Sequence, residues 1–316
     1  LQEETGVDTG FRRCGGIYLA LDSHEAQELN QAVQNWRAEG IAAEELDANR
    51  LRELAPELLP EGNVVRLDEL AAGSQPNQTS RPDQREQSAA AVYLPDEAQI
   101  RNPRHLKALE IACRRQGVAI ESGVAAEDFE IQQGRLISVR ANQGPLRAGR
   151  FVFASGAWSA SLVRRLGGEI ALRPVRGQIV LLSSSPPLLR QIVNRGPRYL
   201  VPREDGRLLI GSTEEDVGFN KQTTSGAVSD LLRLAHRLVP ESRNAQVERA
   251  WAGLRPGTAD RLPYLGRLPG LDNAFVATGH FRGGLTLSPG TARVMGQLLR
   301  DEPTEIDLSP FALDRR

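Results

Sequence analysis

Apolar residues occur in short runs, and most of these runs are followed by stretches of helical period. Residues 15–21 (GGIYLAL) read as a strand. Asp22 or Ser23 caps a helix over about 24–39 that Gly40 ends, and Asp47 caps a second helix carrying Leu51 and Leu54 and stopping before Pro56. Residues 72–90 are polar and aperiodic and read as a surface loop insertion. At 102–117, Asn102 caps, Pro103 takes the first helical position and Gly117 stops the helix. Leu106, Leu109, Ile111 and Cys113 share most of one face there, so Cys113 is expected in the core rather than as a reactive thiol.

Short strands follow at 118–121, 124–131 and 135–140, the last after the turn Gln133-Gly134. Residues 150–154 (RFVFA) read as a buried strand that runs directly into Ser155-Gly156-Ala157-Trp158-Ser159 and a helix to about 166. Further strands are expected at 175–182, 198–202 and 207–212, the last two forming a hairpin across Glu204-Asp205-Gly206. Ser225 caps a helix at 226–239, and a strand covers about 246–254. Residues 273–278 (NAFVAT) form another buried strand, and Ser288 caps a last helix, with Pro289 in its first turn, reaching about 300. No repeat of 20–50 residues is present. Strand–helix units mixed with hairpins predict an α/β fold with an antiparallel second layer.

The 316 residues carry a net charge of −1, which gives no electrostatic reason to expect nucleic acid or an anionic membrane as partner. No stretch approaches 18 consecutive apolar residues. Residues 1–10 lack the basic start and apolar core of a signal peptide. Two cysteines, Cys14 and Cys113, make no disulfide framework, no Cys/His cluster has metal spacing, and a cytoplasmic protein without metal is expected. Arginine supplies 37 of the 39 basic residues, which reads as lineage bias. The only methionine is Met295 and the opening LQEETG looks like a helix tail, so the natural start is expected upstream.

Two strand-to-helix junctions carry the chemistry: FVFASGAWS (151–159) and AFVATGHFRGGLTLSPGTA (274–292). Ligands of open α/β sheets sit beyond the carboxyl ends of the strands. Small residues there let backbone approach a ligand, and a helix N-terminus supplies unpaired N–H groups and partial positive charge. The plain alternative is that these glycines only make tight turns. Arg255 in WAGLRPGT and Arg282 in GHFRGG are flanked by small residues and prolines, a setting that suits a bidentate clamp on a carboxylate or a structural ion pair. Tyr199 in RYLVP could donate to a ligand or close a buried edge, and His280 could be a base or simply a satisfied histidine. There is no Gly-x-Gly-x-x-Gly, Walker loop, Gly-x-Ser-x-Gly or His-Glu-x-x-His, which leaves hydrolase and P-loop chemistry unsupported.

Residues 199–219, 251–270 (WAGLRPGTADRLPYLGRLPG) and 277–299 (ATGHFRGGLTLSPGTARVMGQLL) together resemble the glycine oxidases of thiamine biosynthesis, within the D-amino-acid oxidase group of flavoproteins. The segments 94–109, 153–159 and 172–182 fit as well, so the likeness covers nearly everything outside 72–90. It implies a Rossmann-like FAD-binding domain lacking its N-terminal strand and glycine-rich loop (1–10, 96–168 and 251–316), plus an α+β substrate domain with a mostly antiparallel sheet (11–95 and 169–250). It implies non-covalent FAD, with Ala126 at the adenine, and Ala154, Ser155, Gly156 and Trp158 along the dinucleotide. Gly279, His280, Phe281, Arg282, Gly283, Gly284, Leu285 and Thr286 would wrap the flavin ring.

By the same resemblance Arg255 is the main carboxylate clamp, Arg282 also reaches the substrate, and Tyr199 is the active-site tyrosine. Glu214 takes a pocket position where glycine oxidases can carry an apolar side chain. The implied reaction moves the Cα hydrogen of glycine or another small amino acid to flavin as hydride and returns electrons to molecular oxygen as peroxide. The imine product hydrolyses to glyoxylate and ammonia or supplies thiazole formation, with thiazole synthase and a second copy of the chain as candidate partners. The competing readings are a sarcosine oxidase, a D-amino-acid dehydrogenase, and a truncated, non-catalytic binding module.

Overall fold

A computed structural model describes residues 1–58, 64–72 and 89–315. Residues 73–88 of the expected polar insertion lie outside that set. The end of the insertion is not loop: Ala89 bridges Val64, and Ala90–Leu94 is a buried strand that the alanine-rich spelling AAAVYL concealed. The chain forms two compact units, Leu1–Ile120 with Gln178–Thr213 and Gln222–Ala252, and Glu121–Gly177 with Glu214–Lys221 and Gly253–Arg316. These boundaries differ from the expected ones at 1–10 and 96–120, which cluster with the first unit. Arg12 and Arg13 pair antiparallel with Gln99 and Ala98, and the Arg101 N–H donates to Thr9 O. Residues 169–177 and 214–221 fall in the second unit.

The first unit is built on an eight-stranded, mostly antiparallel sheet. Its order is Gln246–Gly257, Arg173–Ser183, Arg207–Gly211, Arg198–Pro202, Ile192–Arg195, Gly16–Ala20, Ala90–Leu94 and Glu44–Leu46. Strand alternation sorts its two faces. Ile17, Leu19, Val180, Leu182, Leu200, Leu208 and Ile210 pack with Leu231, Leu234 and Leu238 of helix Ser225–Leu238. On the opposite face Ala20, Ala90 and Val92 pack with Ala26, Leu29 and Val33 of helix Ser23–Ala38. Asp22 and Asp47 cap as expected, accepting from Glu25 N and from Asn49 and Arg50 N. The 225–238 helix is capped by Thr224 rather than Ser225.

The helix expected at 102–117 spans Asn102–Arg115, with Arg101 at its N-cap and no side-chain cap. Its apolar stripe is largely open, with Leu106 64% exposed and only Ala108 fully buried. Cys113 is accordingly half-buried rather than core. Periodicity marks an apolar stripe but not what covers it. Residues 118–121 form no strand.

The second unit pairs Phe151–Phe153 with Ala274–Thr278 in parallel, and Tyr264–Arg267 adds antiparallel to the latter. Ala274 and Val276 face one cluster with Phe153, Val163, Leu166 and Leu271. Phe275 points the other way, onto Met295 of helix Gly284–Leu299. A hairpin of Ala126–Gln132 and Arg135–Ala141 turns at Gln133 and Gly134, both at positive φ, the two-residue geometry that matches strand twist.

Asn273 ties this hairpin to the strand pair. Its Oδ1 accepts from Leu136 N–H at 2.9 Å, its Nδ2 donates to Leu136 O at 2.9 Å and Gly149 O at 3.1 Å, and its own carbonyl accepts from Phe151 N–H. The residue is 4% exposed, so truncation leaves buried backbone groups without partners. Asn273→Leu should lower unfolding free energy by about 2–4 kcal/mol, read from urea midpoints at unchanged m. A change below 1 kcal/mol would show that the network carries no such weight.

Candidate active site at the paired strand ends

Parallel pairing aligns the carboxyl ends of Phe151–Phe153 and Ala274–Thr278, and both expected junctions begin there. Thr278 Oγ1 donates to Gly156 O at 3.0 Å and fastens one turn to the other. In the first turn Gly156 has φ +55° and opens a 3₁₀ turn, Gly156–Trp158, ahead of helix Ser159–Arg165. Phe153 is buried but Val152 is 42% exposed, so the expected buried strand has one open face. Trp158 is half exposed and its ring meets Phe219 at 5.6 Å between centroids. Ala126 starts its strand opposite Ala141, and the preceding Ala125 N–H is bound by Asn142 Oδ1.

The second turn is more tightly specified. Gly279 has φ +85°, and a Cβ there would lie 2.8 Å from Thr258 Cγ2. Phe281 also has positive φ, and its N–H donates to Pro256 O at 3.1 Å, which holds the turn against the segment that carries Arg255. The last helix begins at Gly284, four residues before the expected cap at Ser288, so Gly284, Leu285 and Thr286 form its first turn. Pro289 lies inside it. Proline has no N–H to give the carbonyl four residues back, and Ser288 Oγ donates to Leu285 O instead. That exchange, invisible to a capping rule, lets the helix run through its proline.

Gly177 is the residue that sequence reading missed. A Cβ there would fall 2.3 Å from both terminal nitrogens of Arg255, so the guanidinium lies flat against bare backbone. Arg282 forms an ion pair with Glu214, with the two side chains 34% and 37% exposed. Glu215, next in sequence, faces elsewhere: its carboxylate pairs with Arg176, and the two residues exchange backbone hydrogen bonds at 2.9 and 3.0 Å. Tyr199 lies in the first unit, its ring over Gly211, where a Cβ would come within 2.5 Å of it.

The donor set fits a flavin. The first turn of helix Gly284–Leu299 has Gly283 at its N-cap and no side-chain cap, so its N–H groups can face an electron-rich ring edge. Leu285 and Leu287 are 41% and 47% exposed beside it and offer an apolar bed. His280 Nε2 lies 2.9 Å from Thr291 Oγ1, and burial pushes its pKa below the usual histidine value. The imidazole is neutral at pH 7 and adds no cation to the turn.

Small-residue turns at parallel strand ends, an uncapped helix start and arginines on the adjoining segments are the layout of a nucleotide-cofactor oxidoreductase. The family model described as "DAO: FAD dependent oxidoreductase" matches residues 1–298. The chain is 33% identical to the glycine oxidase of Geobacillus kaustophilus, over 100% of this chain and 77% of that protein. The crystal structure of that enzyme matches with a TM-score of 0.87, covering 100% of this chain and 78% of the other. The glycine oxidase of Pseudomonas putida is 37% identical over 72% of this chain and 62% of its own length. A bifunctional protein ThiO/ThiG of Synechocystis is 34% identical over 100% of this chain and 42% of its own. The chain thus spans less than two thirds of several curated relatives. It belongs to the FAD-dependent oxidoreductases of the D-amino-acid oxidase family, and its cofactor is FAD. Among the described residues no helix is long and apolar enough to cross a membrane.

His280 supplies a pH signature. Its unfolded-state pKa is about 6.5 and its folded-state pKa is lower, so below pH ~6.5 the unfolded chain binds the extra proton. Stability therefore rises with pH through that window and levels off above it. In His280→Gln, the loss of stability between pH 7.5 and 5.5 should be smaller than in the wild type, by denaturant midpoints. An equal loss would remove His280 from the acid response.

Proposed function

We propose that the protein oxidises glycine or another small α-amino acid, with FAD taking the hydride from Cα and molecular oxygen as the final acceptor. The observation that carries this reading is the seating of Arg255. Its guanidinium rests on Gly177, and the Pro256 carbonyl next to it holds the 279–284 turn through Phe281 N–H. A rigid, planar fork is the group that binds a carboxylate with both oxygens. Fixing it relative to the turn orients Cα toward the flavin, and such orientation supplies up to about 7–11 kcal/mol of a barrier. The uncapped start of helix Gly284–Leu299 would stabilise negative charge on a flavin held there. Gly279–Thr286 would hold the ring, and Ala154–Trp158 with Ala126 would hold the rest of the dinucleotide. His280, neutral and bonded to Thr291, positions the turn.

The likeness to relatives named glycine oxidase, and to one in which ThiO and ThiG share a chain, supports glycine as substrate and thiazole synthesis as the destination of the imine. Thiazole synthase is then the partner that takes up the product.

The test is peroxide and glyoxylate formation by the flavin-loaded protein. Arg255→Ala should lower kcat/KM for glycine about 30- to 1,000-fold, mostly through KM, since truncating one side of a hydrogen-bonded charge pair costs about 2–4 kcal/mol. An unchanged KM removes Arg255 from the substrate. Gly177→Ala separates placement from folding. The clash falls on the far end of a flexible side chain, so melting should shift little, while the displaced guanidinium raises KM about tenfold or more. A Gly177→Ala enzyme with wild-type KM would show that the seat is unimportant.

A further inference from the structure

Glu214 gives the site a charge that one arginine clamp does not require. Its position is set by neighbouring backbone. Arg176 and Glu215 bridge through paired hydrogen bonds, Arg176 is 4% exposed, and Gly177, the seat of Arg255, follows at once. Successive side chains on extended backbone point to opposite sides. Glu215 is used by Arg176, which leaves Glu214 facing the other way, onto Arg282. The same bridge thus places Glu214 next to the strand that seats the clamp. Arg282 stands in the 279–284 turn, which Phe281 N–H fastens to Pro256 beside Arg255.

Two guanidiniums on joined segments would ordinarily make a site for two carboxylates. Here one of them already has a carboxylate, supplied by the protein. We propose that Glu214, by pairing with Arg282, restricts the substrate to amino acids with a single carboxylate. The proposal rests on the amino-acid oxidase reading above. A second carboxylate on the substrate would have to displace Glu214 or sit against it, and like charges brought together in a partly desolvated pocket are strongly disfavoured. Both side chains remain about one third exposed, so the pair adds little to folding and its substitution reports on the pocket rather than on stability.

The experiment compares the flavin-loaded wild type with Glu214→Gln, which removes the charge and keeps the size, and with Glu214→Asp, which keeps the charge. Sarcosine and iminodiacetate, which differ by one carboxylate, are the substrate pair. Acetate and malonate, titrated through the flavin absorption spectrum, are the binding pair and need no turnover. Glu214→Gln should raise the iminodiacetate-to-sarcosine ratio of kcat/KM at least tenfold and tighten malonate relative to acetate to a similar degree. Glu214→Asp should retain the wild-type preference in both. Ratios within threefold of wild type in Glu214→Gln overturn the proposal, as do equal shifts in the two variants, which would assign the preference to shape. If no amino acid is oxidised but the malonate-to-acetate ratio moves as expected, the oxidase reading falls and the charge assignment stands.

Discussion

The parallel pairing of Phe151–Phe153 with Ala274–Thr278 is the constraint on which the site depends. The two strands are more than a hundred residues apart in sequence, and no tight turn sets their register. Side-chain chemistry at both ends sets it instead. At the amino end Asn273 binds Leu136 and Gly149 while its carbonyl takes Phe151 N–H. At the carboxyl end Thr278 reaches Gly156. A slip of one residue would exchange the large Phe275 ring with Ala274 and Val276 between two packed faces, because side chains alternate along a strand. The turns that follow the strands are therefore placed by buried amide and hydroxyl bonds, not by the charged groups beside them.

That separation of labour recurs in the arginines. Arg255 is positioned by what is missing at Gly177, and its neighbour Pro256 contributes a carbonyl rather than a charge. Among the described residues most ion pairs join exposed partners, such as Arg66 with Asp68 and Arg300 with Glu302, and solvent screens pairs of that kind so that they add little to folding. The framework of the second unit rests on apolar burial around Phe153, Val163, Ala274 and Val276.

The two junctions were legible in the sequence because their signals are local: a short apolar run, then glycines, then a helical period. The caps at Asp22 and Asp47 were legible for the same reason. What the sequence concealed is nonlocal. The polar reading of 72–90 runs into the start of strand Ala90–Leu94 because Ala89, Ala90 and Ala91 carry almost no strand signal, yet opposite Gly16–Ala20 such small side chains fit both packed faces. A capping rule places the start of the last helix at Ser288, whereas Ser288 compensates for Pro289 within a longer helix. Gly177 looks like any strand glycine until Arg255 is laid against it. Glu214 was visible as a departure in the pocket, but its partner was not, since 68 residues separate it from Arg282.

These omissions share a cause. Each involves a residue whose role is to be small or to compensate for another group, and such roles are defined by the neighbour rather than by the residue. An arginine announces a charge, but its placement is decided by the glycine it lies against or the glutamate it pairs with. In this unit both decisions issue from one short stretch of backbone, where Arg176 bridges Glu215 and Gly177 follows. The clamp and the countercharge are consequently not independent features. A change in the Arg176–Glu215 bridge would move the seat of Arg255 and the approach of Glu214 to Arg282 together, so in the proposed reading the affinity for one carboxylate and the rejection of a second would change together.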